Sequence, residues 1–447
     1  MKKVLLICNY YAPENQIASI RVSKFAKYLA RYGYDVRVLV EKKNLEIQDE
    51  ILEQDVAGIP VEYVEFSQWI CKLDGLYQKL TKNYRERHFA DVSSRMRYNR
   101  KAGQVIFYPF EKQHPVMGTF DYLMKIMKQH NLYHNSKGYL RQAKDDVDVC
   151  FTTYGGYFGH FAGGYLKRLN ASIKWIADFR DPVYLFNFDP VFFAPVAKLY
   201  QGLACIKCDE IVTVTKGIAR LMPPFCRKKV HCITNGFDYE EKAYYKNVNP
   251  ADKFVIGYTG RMYGGMRDVS VVFKVMRELI REKNMDGNKI EFHYAGTGFE
   301  IFRSQAEKYH LGDQCVDFGN VSRKDSLRIQ AGCSMLLMAI WDYKCQTVGT
   351  LTGKILEYMQ HKKPVIAVIH GDVENNELAV VVRETGLGIA YEQSHHERDI
   401  KLLKEYIKMQ YEDWAEGKKL QPDLNKKKIA RYEYRNLTKR LIRLIEK

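Results

Sequence analysis

The sequence predicts an α/β protein built from two doubly wound parallel sheets that follow one another along the chain. Short β-branched runs alternate with helical stretches over most of the 447 residues, as in repeated βαβ units. The runs are continuously apolar, which is typical of strands buried on both faces. The alternation stops at a polar stretch, residues 238–253, and then starts again. A chain of this length exceeds one usual hydrophobic core, so we expect two domains.

The first half of the chain contains the elements of one such domain. Its predicted strands are KKVLLICN, DVRVLV, VEYVEF, DVCFTT, IKWIADF, EIVTVT and VHCITN, and its predicted helices cover residues 18–32, 157–168 and 190–208. The opening MKKVLLICN is interpreted as a strand and not as a leader peptide, because its apolar run is short and no small-residue cleavage site follows.

The second half repeats the pattern. Its predicted strands are FVIGYTG, KIEFHYAG, VDFG, CSMLLMAI, PVIAVI and LGIAYE, and its predicted helices cover residues 268–284, 298–309, 322–331 and 353–361. We therefore predict Rossmann-like domains at residues 1–237 and 238–420. Residues 421–447 have apolar side chains at helical spacing between basic ones, which predicts a terminal helix that packs back on the first domain.

A long insert, about residues 67–146, interrupts the first domain. From Lys72 to Lys144 it has 15 lysines and arginines against 5 acids, so it carries +10 of the net charge of +17. Eleven tyrosines and phenylalanines lie among these charges, and Trp69 precedes them. We expect residues 69–144 to bind the anionic inner face of the cell membrane and to hold a cytoplasmic protein there. The alternatives are nucleic-acid binding, which we do not expect, and a solvated helical element whose aromatic residues form its core.

The ten cysteines show no regular framework, which favours reduced thiols. Cys205 and Cys208 form a CxxC with Cys226, His231 and Cys232 downstream, and a zinc site would require all five to converge. The cysteines lie in a predicted helix and strand, where they commonly act as small hydrophobic residues. We predict no metal.

The segment TGKILEYMQ, which opens a helix after a buried strand, has the chemistry of an anion site. Unpaired amides and the positive end of the helix dipole favour phosphate, and Lys354 adds a full charge. Glu357, one turn further, is suited to accept hydrogen bonds from ribose hydroxyls. The alternative is a surface ion pair between these two side chains.

Two glycine turns in the second domain are candidates for the same ligand. In TGRMYGGMRD, Arg261 and Arg267 can reach a diphosphate and stabilise a leaving group. In AGTG, Gly296 allows the backbone to approach the base or the ribose. Alternatively, one of the two arginines is only a solvated charge on its loop.

Candidates in the first domain follow its strands. WIADFRDP places Asp178, Arg180 and Asp181 at a strand end, where either aspartate could accept a proton from an acceptor hydroxyl. Alternatively, Arg180 pairs with one aspartate and stabilises the loop. Arg21 is a candidate phosphate ligand or a helix-surface arginine, and His160 is a further, less specific candidate.

Taken together, segments along most of the chain resemble glycosyltransferase family 4, which has the GT-B architecture. The resemblance rests on the order and spacing of several pieces: NYYAPENQIASIRVSKFAKYLARYGYDVRVLV, WIADFRDPV, EIVTVTKGIARLM, ITNGFD, IGYTGRMYGGMRD, FHYAGTG, and GKILEYMQHKKPVIAV followed by ETGLGIAYE. It implies a donor nucleotide on the second domain, an acceptor on the first, a reaction in the cleft that the two domains face, and retention of anomeric configuration.

The resemblance also assigns residues. Glu357 matches the second of two family glutamates, Gly349 takes the place of the first, and Arg261 or Arg267 matches a basic pair. Gly353 and Lys354 ahead of the helix are similar to branches that build bacterial surface polysaccharides. We therefore predict a glycosyltransferase that moves a sugar from a nucleotide diphosphate to a lipid-linked or oligosaccharide acceptor, without cofactor or metal. The alternatives are a sugar-nucleotide epimerase of the same architecture and a non-catalytic nucleotide-sugar-binding partner protein.

Overall fold

Parallel strands form the centre of each of two units in the computed structural model. The structure describes residues 1–45, 48–89, 96–99, 104–107, 115–183, 191–342 and 351–447, and it describes only the backbone of residues 84–89, 96–99, 104–107, 115 and 191. One unit comprises Met1–Thr234 and Leu437–Lys447, and the other comprises Asn235–Asn436. Each unit has its own hydrophobic core.

The first unit has a seven-stranded sheet in the order β3-β2-β1-β6-β7-β8-β9, with every neighbouring pair parallel. Its elements outside the insert are β1 (Lys3–Cys8), α1 (Ile17–Arg31), β2 (Asp35–Glu41), α2 (Glu50–Asp55), β3 (Val61–Val64), β6 (Val149–Thr153), α5 (Phe158–Leu169), β7 (Lys174–Phe179), α6 (Ala194–Lys207), β8 (Glu210–Thr213), α7 (Lys216–Leu221) and β9 (Val230–Cys232). Because β1 and β6 are almost wholly buried, both of their faces are covered by helices.

The insert lies between β3 and β6. It comprises α3 (Gln68–Phe89), the antiparallel pair β4 (Met96–Asn99) and β5 (Gln104–Phe107), and the 29-residue α4 (Pro115–Ala143). Much of the predicted basic aromatic stretch, including Arg95, lies outside the described residues, and the side chains of Arg85, Arg87 and Arg97 are also outside them.

The second unit has a six-stranded parallel sheet in the order β12-β11-β10-β13-β14-β15. Its elements are β10 (Phe254–Thr259), α8 (Ser270–Arg281), β11 (Ile290–Ala295), α9 (Phe299–Glu307), β12 (Cys315–Asp317), α10 (Arg323–Gly332), β13 (Met335–Trp341), α11 (Gly353–His361), β14 (Val365–His370), α12 (Glu377–Thr385), β15 (Gly388–Glu392), α13 (His396–Ala415) and α14 (Lys426–Ile429). Short 3-10 turns in the chain cover Val191–Phe193, Pro224–Lys229, Tyr239–Tyr244, Tyr263–Gly265, Gly287–Lys289, Gly312–Gln314, Gln393–His395 and Ala430–Tyr432.

Local sequence explains where several of these helices begin and end. The Thr215 hydroxyl accepts a hydrogen bond from the Ile218 amide at 3.0 Å and begins α7. Gly386, at φ 65°, ends α12 in the left-handed conformation that favours glycine. The predicted α/β class with two doubly wound sheets is confirmed.

The last helix, α15 (Tyr434–Glu446), returns the chain to the first unit from Leu437 onward. Its Glu446 carboxylate pairs with the Lys2 ammonium at 2.7 Å and accepts a hydrogen bond from the Tyr34 hydroxyl at 2.7 Å. Leu437 and Leu441 are fully buried. The first unit is therefore built from two separate stretches of the sequence.

Candidate functional site

Two glycines form tight turns where β10 and β11 end. Gly260 has φ 125° and Gly296 has φ 139°, a region that side chains rarely allow. The Gly260 amide donates to the Ala295 carbonyl oxygen at 2.6 Å. A Cβ on Gly296 would collide with the Gly260 backbone. The two strand ends therefore expose bare backbone at the carboxyl edge of the sheet, where ligands of such folds bind.

Lys354 lies directly over the first of these turns. It is in the first turn of α11, and a Cβ on Gly260 would collide with its Nζ. The Nζ is 4.2 Å from the centroid of the Tyr258 ring. Although the residue is partly exposed, this Nζ is buried and has no hydrogen-bond partner among the residues that the structure describes. An ammonium group with three unused donors is suited to bind an anion.

The pKa of Lys354 reflects these surroundings. Burial lowers it well below its usual value, the nearby Arg267 guanidinium lowers it further, and Glu357 opposes both effects. A bound anion would reverse this shift, because it would stabilise the charged form. In the unliganded protein, the charged form of Lys354 therefore destabilises the fold.

Arg267 is the second cation of the site. Its guanidinium lies 4.6 Å from the Tyr263 ring centroid and donates to the Arg261 carbonyl oxygen at 3.2 Å. Its Nε is buried without a partner in the described part of the chain. The Arg261 side chain, by contrast, is exposed. Of the two predicted arginines, Arg267 is therefore the one that lies beside Lys354.

Glu357 lies one turn into α11. Its Oε1 accepts a hydrogen bond from Gln330 Nε2, which also donates to the Thr259 hydroxyl at 3.0 Å. Burial raises the pKa of Glu357, while Arg323 and the hydrogen bond from Gln330 oppose the increase. Gly353 begins the same helix, and Gly349, the position of the missing glutamate, lies outside the described residues. The six donor-site residues predicted from the sequence lie on the loop after β10, the turn after β11 and the first turns of α11: Arg261, Arg267, Gly296, Gly353, Lys354 and Glu357. Tyr258 of β10 contacts Lys354, and Gln330 of α10 contacts Glu357; sequence reasoning treated these two residues only as parts of a strand and a helix.

In the first unit, Arg21 and Asp178 bind each other, which differs from their predicted roles as a phosphate ligand and a proton acceptor. They form a bidentate pair, with Nε–Oδ2 at 2.9 Å and Nη2–Oδ1 at 2.8 Å, and their side chains are 1% and 0% exposed. Arg21 also donates to the carbonyl oxygens of Ile233 and Thr234, and Asp178 also accepts from the Thr153 hydroxyl at 3.0 Å. Buried and mutually satisfied, the two side chains have the arrangement of a structural ion pair and not of a proton acceptor and a phosphate ligand.

The other candidates of this unit separate into exposed and buried groups. Arg180 pairs with Asp181 at 3.0 Å, as in the alternative reading of the loop, and the Asp181 side chain remains 53% exposed. His160 is buried, and its Nδ1 lies 2.8 Å from the Thr152 hydroxyl. Burial lowers the pKa of His160 to about 3, so the ring is neutral at physiological pH. Asp181 is therefore the accessible carboxylate of the predicted set.

A polar pocket of about 310 Å³ lies at the carboxyl ends of β1 and β2 and is bounded by α3 and α4. The Asn9 side chain donates to Glu41 at 2.8 Å and to Gln129 at 3.1 Å. Its Oδ1 is buried and accepts no hydrogen bond from any described residue. Asp74 and Asp121 also line the pocket. Such oxygens suit a ligand rich in hydroxyl groups. The available signal in the sequence was a polar residue at the carboxyl end of each of two strands, Asn9 after β1 and Glu41 as the last residue of β2.

The cysteine cluster has the character of packed core. Cys205, Cys208 and Cys226 are buried thiols, and burial raises the pKa of Cys208 to about 12. His231 pairs instead with Glu210 at 2.7 Å. Within the described residues, these side chains are not among the groups whose ligand atoms converge.

Comparison with known proteins finds a matching family over part of the second unit. Residues 253–397 match the model of the family described as "Glycosyl transferases group 1". No curated protein sequence matches the chain. The match covers the strands, turns and helix that carry Gly260, Gly296, Lys354 and Glu357.

Solved structures with the GT-B fold resemble the whole chain at low identity. A sucrose-phosphate synthase from Thermosynechococcus elongatus has a TM-score of 0.59 at 14% identity, covering 100% of this chain and 98% of that one. The lipopolysaccharide outer core galactosyltransferase WaaB has 0.56 at 12%, covering 99% of both. TarM of S. aureus, in complex with fondaparinux, α-GlcNAc-glycerol and UDP, has 0.55 at 10%, covering 100% of both. The chain has the GT-B fold, and residues 253–397 of its second unit match the glycosyltransferase group 1 model.

Proposed function

We propose that this protein is a glycosyltransferase that uses a nucleotide diphosphate sugar as its donor. The observation that carries the proposal is the unpartnered Lys354 ammonium, which lies over the Gly260 turn beside Arg267. Two cations, bare backbone and the N-terminus of a nine-residue helix meet at the carboxyl edge of the sheet. This combination is suited to a diphosphate, which brings two or more negative charges.

Each residue of the donor site has its own proposed role. Lys354 and Arg267 bind the diphosphate, and Glu357 accepts hydrogen bonds from the ribose. As the bond between the anomeric carbon and the diphosphate oxygen breaks, negative charge develops on the leaving group, and the two cations stabilise it. These cations and the helix dipole can supply this stabilisation without a metal, so we propose metal-independent transfer.

The acceptor is proposed to be a saccharide, lipid-linked or free, bound in the Asn9 pocket of the first unit. The unsatisfied Asn9 carbonyl and the carboxylates around it support a hydroxyl-rich ligand. The family resemblance supports retention of configuration and a role in bacterial cell-surface polysaccharide synthesis. Asp181 is the accessible carboxylate that we propose as the proton acceptor.

A binding screen followed by a transfer assay tests this function. Nucleoside diphosphates and nucleotide sugars should raise the melting temperature, since a ligand of the folded state stabilises it by mass action. The best donor, incubated with candidate saccharide acceptors in chelator, should give a glycosylated product and free nucleoside diphosphate. Conversion of the donor without an acceptor would instead identify an epimerase. Binding without any conversion across the acceptors would favour a non-catalytic protein, and restoration of activity only by a divalent ion would contradict the metal-independent mechanism.

Replacing Glu357 by Ala should weaken donor binding about 10- to 150-fold. The change removes hydrogen bonds between a charged group and the ribose, each worth about 1.5–3 kcal/mol. Calorimetric titration with the nucleoside diphosphate measures it. Glu374→Ala, which alters an exposed glutamate of the same unit, should bind like the wild type. Equal affinity in the two variants would remove Glu357 from the site.

A further inference from the structure

Helices α3 and α4 form an antiparallel hairpin with a polar seam. Asp74 on α3 pairs with Lys128 on α4 at 2.7 Å, and the Tyr77 hydroxyl donates to Asp121 at 3.0 Å. The Ser67 amide, just before α3, donates to the Asn131 side chain at 2.9 Å. The partners on α4 descend in number as those on α3 rise, so the two helices run in opposite directions side by side.

Each helix of the hairpin exposes a row of large apolar side chains. The four on α3 are spaced by four, three and four residues, and so are the four on α4, so each set forms one continuous row. Their exposed fractions run from 37% to 73%. The rows are Trp69, Leu73, Leu76 and Leu80 on α3, and Val116, Phe120, Leu123 and Met127 on α4.

The two rows lie on the same side of the hairpin. On α3 the row is about 100° around the helix from the seam residues Asp74 and Tyr77. On α4 the row is about 120° from Asp121 and Lys128, in the same sense of rotation. In an antiparallel pair, similar rotations in the same sense turn both rows to one side. The register of the seam then places Leu76 level with Leu123. The result is one apolar surface about 16 Å long and two helices wide, which we call the hairpin face.

The charges around the hairpin face have one sign. The described side chains of residues 68–83 and 116–143 include seven lysines and arginines and two acids. Both acids, Asp74 and Asp121, are bonded in the seam. Lys72 and Lys79 are exposed along the edge of the apolar row of α3. A contiguous apolar surface edged by cations is unusual for a protein surface that faces only water.

We propose that the hairpin face inserts into the interfacial region of an anionic phospholipid bilayer. Its apolar rows enter the acyl boundary, Trp69 lies at the headgroup level, and Lys72 and Lys79 reach anionic headgroups. A second copy of this chain on the same face would bring like-charged lysines together, so charge complementarity favours lipid. The proposal does not depend on glycosyl transfer. It also differs from binding by charge alone, because apolar insertion persists when salt screens the lysines.

Flotation with vesicles and tryptophan fluorescence test the hairpin face. The probe is phosphatidylcholine with about one third phosphatidylglycerol, which supplies the anionic surface. Wild-type protein should float with these vesicles and stay partly bound in about 0.5 M NaCl, which screens charges beyond a few ångströms. Trp69 is the exposed tryptophan, whereas Trp175 is buried and Trp341 and Trp414 are half-buried. Its emission should shift to the blue on binding, and this shift should vanish in Trp69→Phe.

The decisive variant is Leu76→Glu with Leu123→Glu, which places two carboxylates at the centre of the hairpin face. Vesicle partitioning should fall at least about tenfold, because two leucine side chains that enter the lipid are lost and anions are added. Leu402→Glu, which alters a leucine of similar exposure on α13, should partition like the wild type. Circular dichroism should show that both variants are folded.

Four results would overturn the proposal. The double variant could partition like the wild type, or Trp69 emission could stay unchanged on vesicles. Sedimentation without lipid could show a dimer that the double variant converts to a monomer, which would identify a second copy as the occupant. Helix α6 exposes another apolar row, Val196, Leu199, Leu203 and Ile206, and loss of binding in Leu199→Glu but not in the hairpin variant would place the membrane contact there.

Discussion

Replacing Asp178 by Asn should destabilise the first unit by about 3–5 kcal/mol, because Arg21 would keep a buried charge without a carboxylate to neutralise it. The pair joins α1 to β7, and the Arg21 guanidinium also ties both to the backbone after β9. Urea unfolding, followed by a probe of the first unit, should show the loss, while the second unit keeps its transition.

Asp181→Asn is the matched control for this prediction. The exposed pair of Asp181 with Arg180 should contribute no more than about 1 kcal/mol to stability, so this variant should unfold like the wild type and lose turnover instead. If Asp178→Asn unfolds like the wild type but is inactive, Asp178 takes part in the chemistry and the structural interpretation is wrong. Combining Asp178→Asn with Arg21→Met removes the uncompensated charge and should recover part of the lost stability.

Replacing Lys354 by Met should abolish or strongly weaken nucleotide binding and, at neutral pH, raise the stability of the unliganded protein. Each lost hydrogen bond to a charged phosphate is worth about 1.5–3 kcal/mol, so affinity should fall at least about 10- to 150-fold. The gain in stability follows from the lowered pKa of Lys354. A lysine whose pKa is lower in the folded state destabilises that state fully below the folded pKa, and the penalty disappears above the unfolded pKa. Methionine carries no such penalty.

The same shift predicts how binding depends on pH. A bound diphosphate raises the pKa of Lys354, so binding takes up a proton between the pKa values of the free and bound states, and affinity falls as pH rises through that interval. Titration in buffers with different ionisation enthalpies measures the uptake. Lys401→Met, an exposed lysine in the same unit, should bind like the wild type and take up the same number of protons. Wild-type affinity in Lys354→Met would contradict the proposed donor site.

The parts of the fold that the sequence predicted best are the buried parallel strands and the helices between them. The helix over residues 353–361 was predicted at its observed bounds, because apolar positions at helical spacing lie between a glycine start and a basic end. Helix α13 was not predicted, although it covers 20 residues. Nine of its 20 residues are charged, so its apolar positions were not distinguished from the polar stretches around it.

In the candidate site, local sequence placed Lys354 and Glu357 correctly on one helix but could not show their partners. The Tyr258 ring beside Lys354 comes from β10, and the Gln330 amide that donates to Glu357 comes from α10. Likewise, Arg21 and Asp178 are 157 positions apart, and neither local pattern indicates that each satisfies the other. Pairing at such distances is decided by the topology of the sheet.

The hairpin face illustrates a different limit. A row at spacings of four, three and four residues has the same appearance in a sequence whether it is buried or exposed. The sequence of the insert therefore predicted membrane binding from its positive charge and its interleaved aromatic residues, whereas the structure adds the outward apolar rows of α3 and α4. Only the seam residues, which are polar and face inward, show which side of each helix is outside.

The return of residues 437–447 to the first unit affects how the protein is made. During synthesis the first unit lacks Leu437 and Leu441, both fully buried in the finished protein, until the ribosome has translated past them. The second unit is continuous in the sequence, so it can complete its core first although it is translated later. For that period we expect the nascent first unit to expose the apolar surface that these leucines cover, the kind of surface that chaperones bind.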